Sequence, residues 1–80
     1  MIGKRLAELR KEAHLSQELL GVRAGIHGVH VNKLENNRVR SPSAATLQAL
    51  ADVLSETLGR QITVDELLGE PEPDGAVASS

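Results

Sequence analysis

The chain contains no cysteine, no phenylalanine, tyrosine or tryptophan, and only one methionine among its 80 residues. Without cysteine there are no disulfide staples and no thiolate metal sites, and a reducing compartment is permitted. Without aromatic rings the core must be aliphatic, and any mode of binding single-stranded nucleic acid that stacks bases on rings is excluded. Neither a long apolar run nor a signal-peptide pattern is present, so the sequence reads as a soluble intracellular protein with no membrane partner. Duplex DNA, another protein or a small ligand remain as partners. The length leaves room for one domain, and one that folds without staples is expected to pack helices tightly around a single core.

Charge is present in both signs but unevenly placed. The net charge is −2. Residues 1–40 nevertheless carry eight basic side chains against four acidic ones, whereas in residues 41–80 Arg60 stands alone against seven acids. A basic half at net +4 and an acidic half at net −6 predict one face that attracts a polyanion and another that avoids it.

Apolar spacing predicts an all-α chain. Ile2, Leu6, Leu9 and Ala13 recur at helical intervals and define a first amphipathic helix that ends at "HLSQ". Ser16 is a suitable N-cap for a second helix from Gln17 to about Ala24, without a capping box because Leu19 occupies the third helical position. Gly25 is placed to end it in the left-handed conformation. A third helix begins near His27, turns Val31 and Leu34 inward and stops before "NNRVRSP", where Pro42 forbids simple continuation. From Ser43 a fourth helix runs through Leu47, Leu50, Leu54 and Leu58 to Gly59. Thr63 and Glu66 fit a capping box and Ile62 and Leu67 a hydrophobic staple, predicting a short fifth helix to about Leu68. The domain is thus expected over residues 1–69, and "EPEPDGAVASS", residues 70–80, is expected to be a disordered acidic and polar tail.

Catalytic and metal motifs are not evident. His27 and His30 stand three apart, but no third ligand is well placed and no H-E-x-x-H pattern occurs. The glycines of "GVRAGIHG" match neither G-x-G-x-x-G nor a phosphate loop. No enzyme, cofactor or metal is expected.

Two short helices joined by a tight glycine-containing turn form a helix-turn-helix pattern, with Gly21 small where the third helix must cross the second. Together "LAELRKEAHLSQELLGVRAGI", "VNKLENNRVRSPSAATLQALADVL" and "TVDELL" resemble the Cro and phage-repressor type of helix-turn-helix, the XRE family of prokaryotic DNA-binding proteins. The resemblance covers roughly residues 2–69. It implies a five-helix, lambda-repressor-like bundle acting as a transcriptional regulator or as a DNA-binding partner of another protein, usually dimeric on a palindromic operator. It also implies a cytoplasmic protein of prokaryotic, phage or plasmid origin. By resemblance, Gln17 matches a phosphate-contacting position, Gly28, Val29 and Lys33 match base-contacting positions, and Asn36 with the basic loop after it matches backbone contacts. Glu35 matches a glutamate that pairs with a helix 1 arginine, so Arg10 and Glu35 are expected to form a partly buried structural ion pair.

Helical geometry places Val29, Asn32, Lys33 and Asn36 on one face, opposite Val31 and Leu34. Lys33 can donate to guanine, Asn32 can pair with adenine and Val29 can meet a thymine methyl. The expected base readers are therefore His27, Gly28, Val29, Asn32 and Lys33. Gln17, Asn36, Arg38, Arg40 and Ser43 are the expected phosphate contacts. The apolar Val64, Leu67 and Leu68 of the fifth helix suggest a homodimer through the acidic half, with two reader helices about 34 Å apart on an inverted repeat. Gly28 and Val29 stand where long polar side chains are common in the family, and Leu19 and Val22 are apolar where exposed polar residues are usual. The last pair keeps a protein-interaction bundle, or an antitoxin-type DNA-binding partner, as the alternative.

Overall fold

The computed structural model describes residues 2–68; the expected tail lies outside the described residues. Five helices follow in order: α1 Ile2–Glu12, α2 Gln17–Ala24, α3 Gly28–Glu35, α4 Ala44–Leu58 and α5 Val64–Leu67. No helix among them is long and apolar enough to cross a membrane. α2 packs against α3 and α4, α1 crosses α3, and α5 closes over α1 and α4. The core is wholly aliphatic: Leu6, Leu9, Leu20, Val31, Leu34, Leu50, Leu54 and Leu67 are completely buried, with Ala13, Leu15, Leu47, Ala51 and Ile62 around them.

Helix starts follow their side-chain chemistry. Ser16 Oγ accepts from Leu19 N–H at 2.9 Å, Ser43 Oγ from Thr46 N–H at 3.1 Å, and Thr63 Oγ1 from Glu66 N–H at 3.1 Å. The box expected at α5 is only half formed. Glu66, instead of reaching back to Thr63, turns its carboxylate to Arg5 at 2.7 Å and Arg60 at 3.6 Å. Two cationic partners attract it more strongly than one neutral N–H.

Helices α1, α2 and α3 end in the same way. After α2, Ile26 N–H donates to Gly21 O and Gly25 N–H to Val22 O, with Gly25 at φ +79°. After α1, Leu15 donates to Arg10 O and His14 to Lys11 O, with His14 at φ +59°. After α3, Arg38 donates to Lys33 O and Asn37 to Leu34 O, with Asn37 at φ +56°. Histidine and asparagine are among the few side chains that enter this region at modest cost. Asn37 gains a compensation there, since its Oδ1 accepts from Gly3 N–H at 3.0 Å and so caps the first turn of α1 from the far end of α3. The loop between α4 and α5 is pinned by Ser55, whose Oγ donates to Ala51 O at 2.7 Å and accepts from Ile62 N–H at 2.8 Å.

Leu67 is completely buried within this chain, while Val64 and Leu68 are half-buried. Ion pairs tie the basic and acidic halves of the sequence together: Arg5 pairs with Glu66, and Arg60 with Glu12 at 3.2 Å. The Glu66 carboxylate, accepting from Arg5, holds that guanidinium above arginine's ordinary pKa.

Gly21 sets how closely α2 approaches α3. A Cβ there would lie 2.7 Å from both the Gly28 nitrogen and the His27 carbonyl carbon. Gly21→Val is expected to force the helices apart and lower stability by at least about 2 kcal/mol, read as a shift of the urea midpoint. An unchanged midpoint would mean that the two helices have slack at their crossing.

Candidate nucleic-acid interface

The start of α3 lies against the start of α2 because Gly28 has no side chain. Its missing Cβ would fall 2.7 Å from Glu18 Cα, so the position is a packing contact between helices. The expected base reader Gly28 is thus held where α2 and α3 cross. Beside the contact, an open cleft of about 510 Å³ is lined by Gln17, Glu18, His27, Gly28, Val29 and Asn32. The cleft therefore collects His27, Gly28, Val29 and Asn32 from the expected readers and Gln17 from the expected phosphate contacts. His27 sits at the N-cap position of α3 but its side chain makes no capping bond. Val29, 66% exposed, stands out from the helix. Glu18, which was not among the expected contacts, places a carboxylate at the rim; its only sequence signal is its place directly after Gln17.

Asn32 and Lys33 are both exposed one turn further along α3. Asn36 is not on the helix proper: it is the C-cap, and its Nδ2 donates to Asn32 O at 2.8 Å, closing the last turn. Past it, Arg38 and Arg40 are exposed, and neither they nor Lys33 enter an ion pair among the described residues. Ser43 is exposed but engaged at the start of α4, where its hydroxyl also donates to Thr46 Oγ1 at 2.9 Å. Residues 29–40 thus carry three exposed asparagine amides, one ammonium and two guanidiniums on a single helix and the loop after it.

The surface is held from behind by a charged pair. Arg10 reaches from α1 to Glu35 at the end of α3 through two bonds, Nε to Oε2 at 2.5 Å and Nη2 to Oε1 at 3.1 Å. Its third nitrogen donates to Leu15 O at 2.9 Å. The side chains are 14% and 7% exposed. Gln17 joins the pair, Nε2 donating to Glu35 Oε1 at 2.9 Å, and accepts on Oε1 from Asn32 Nδ2 at 3.3 Å. Gln17 is therefore bound on its inner side through one N–H and its Oε1.

A tight two-helix turn, with an exposed polar second helix braced by an arginine and a glutamate, was the pattern the motifs implied. A family model described as "Helix-turn-helix" matches residues 6–61. The chain belongs to the helix-turn-helix family. It is the XRE type. It is 38% identical over 52 residues to a Bacillus subtilis (strain 168) protein named "Uncharacterized HTH-type transcriptional regulator RghRB", a match that takes in 65% of this chain and 37% of the relative. The chain thus corresponds to little more than a third of that relative's length. Among solved structures, a chain of a SinR protein/SinI protein complex superposes with a TM-score of 0.76 at 27% identity, covering all of this chain and 82% of the other. The superposition agrees with the five-helix architecture.

Because the Arg10–Glu35 pair is bidentate and largely shielded from water, removing the cation should cost much more than a surface ion pair does. Arg10→Met is expected to lose about 3 kcal/mol in a denaturant melt, since it leaves the Glu35 carboxylate without its counter-charge. A loss below about 0.5 kcal/mol would place the pair with ordinary surface bridges.

Proposed function

We propose that this helix-turn-helix protein is a sequence-specific regulator of transcription that binds double-stranded DNA, and that it represses by occupying an inverted-repeat operator. One observation carries the reading. The exposed side of α3 offers Val29, Asn32 and Lys33 in sequence, with Arg38 and Arg40 unpaired just beyond. An α-helix fits the major groove, where an amide and an ammonium discriminate base edges while guanidiniums on a following loop hold phosphates. Family membership and the relative named as a transcriptional regulator point the same way, to a DNA-binding protein and not an enzyme.

One copy has few phosphate contacts to offer, and tight binding calls for two. We therefore place two copies on the operator, with the acidic side of each, Asp52 and Glu56 on α4 included, turned from the phosphates. Sedimentation of the protein alone and on DNA reads the stoichiometry, and one copy per operator would end the homodimer reading.

A second reading rests on Leu19 and Val22, 39% and 65% exposed on α2. They suit a protein partner, and the SinR chain that this fold resembles was solved in complex with a second protein, SinI. Selection of bound duplexes from a random pool separates the readings. An enriched inverted repeat supports the regulator, and no enrichment at low salt favours the protein partner.

Within the regulator reading the side chains divide by effect. Lys33→Ala should lose roughly 1 to 3 kcal/mol at the selected site and relax preference at one base pair per half-site. Arg38→Ala or Arg40→Ala should weaken binding to all sequences about equally and reduce the salt slope by about one for each phosphate that is no longer neutralised. For a dimer making about eight phosphate contacts, log K against log salt should fall with a slope near −7. A slope near zero, or indistinguishable effects of Lys33→Ala and Arg38→Ala on base preference, would remove α3 as the reader.

A further inference from the structure

We infer that Gln17 is a positioning residue for base recognition: through it, the charge of Arg10 fixes which end of the Asn32 amide faces the DNA. The inference rests on the proposed DNA-binding function and deepens it.

The logic follows the donors and acceptors from the interior outward. An arginine only donates, so the Glu35 carboxylate it holds is ionised and can only accept. Gln17 lies against Glu35 Oε1 and must turn its NH₂ end inward, at 2.9 Å. That leaves Gln17 Oε1 pointing to Asn32, and an amide oxygen only accepts. Asn32 must then give it an N–H, at 3.3 Å. A carboxamide is nearly symmetric in shape, and free in solvent nothing decides between its two orientations. Here three successive contacts decide it, starting from a permanent charge in the protein: Glu35 accepts from Arg10 on one side and from Gln17 on the other, and Gln17 in turn accepts from Asn32.

The consequence is chemical. With one Nδ2–H held by Gln17, Asn32 retains its second N–H and its Oδ1, side by side and in fixed order. That is the donor and acceptor pair an asparagine uses on adenine, accepting from N6 and donating to N7. Gln17 thereby makes the amide ready before DNA arrives, and Asn36, bound to the Asn32 carbonyl at 2.8 Å, steadies the backbone beneath it. A glutamine that merely touched phosphate would have no need of an ionised partner behind it.

The test uses three variants of the full chain: Asn32→Ala, Gln17→Met, which keeps length and removes both polar ends, and the double variant. Each is assayed on duplexes selected from a random pool by the wild-type protein and on the same duplexes altered one base pair at a time. Asn32→Ala should lose preference at one adenine-containing base pair per half-site by about fivefold or more. Gln17→Met should lose preference at the same base pair, and the double variant should be no worse there than Asn32→Ala alone. If Gln17→Met weakens every duplex equally and keeps the preference, or if the two losses add, Gln17 is a phosphate contact and the inference is wrong. Should Asn32→Ala itself leave all preferences intact, the assignment of α3 as reader fails first.

A readout without DNA stands beside these. The two side-chain amide protons of Asn32 should have well-separated chemical shifts in the wild-type protein and collapse toward solvent-exposed values in Gln17→Met. Equal shifts in the two proteins would overturn the relay whatever the DNA result.

Discussion

The ion pair between Arg10 and Glu35 holds this small bundle in its working shape. It joins the first helix to the end of the third, and through the Leu15 carbonyl it also fixes the turn that launches the second. Every element that frames the exposed face of α3 is therefore tied to one guanidinium. A core made only of leucine, isoleucine, valine and alanine supplies cohesion but little directional preference, since aliphatic side chains repack with small penalties when volume is kept. A bidentate charged contact has a narrow geometry and selects one arrangement of the helices. The two contributions are complementary, burial giving the stability and the pair giving the register.

Much of this architecture can be read in the residues. Apolar spacing marks α1 and α4, serine and threonine caps mark three helix starts, and Gly25 and Gly59 mark two ends, because each of these is decided within a few residues of chain. The Arg10–Glu35 contact spans 25 positions and came from the motif resemblance; the spacing alone would not have paired them. What escaped is decided by distant neighbours. His14 and Asn37 take the left-handed conformation usually assigned to glycine, and the value of Asn37 depends on Gly3, 34 residues away. Glu66 had two possible partners, a local N–H and two distant arginines, and sequence shows only the first. The complete burial of Leu67 escaped for the same reason, since it depends on where α1 and α4 pass.

The site residues divide along similar lines. Exposure of Val29, Asn32 and Lys33 follows from which face of α3 must bury Val31 and Leu34, and helical periodicity is enough to find them; Arg38 and Arg40 lie on the loop after α3, marked in the sequence by the break before Pro42. Gly28, Gln17, Asn36 and Ser43 also lie on or near this surface, but each is engaged within the protein: one in helix packing, one in a polar relay, two in helix ends. A motif position identifies a place on a surface. Whether the side chain there is free to act depends on donors and acceptors that only the fold brings together.

The bond from Gly3 to Asn37 carries a thermodynamic consequence. The turn after α3, from which Arg38 and Arg40 emerge, is latched to the first turn of α1, so its backbone is ordered when the chain folds and not when a ligand arrives. An interface prepared in this manner docks as a rigid body, with little conformational entropy left to lose. Its heat-capacity change on association should then reflect only the surface that becomes covered, without the larger decrement that accompanies folding coupled to binding.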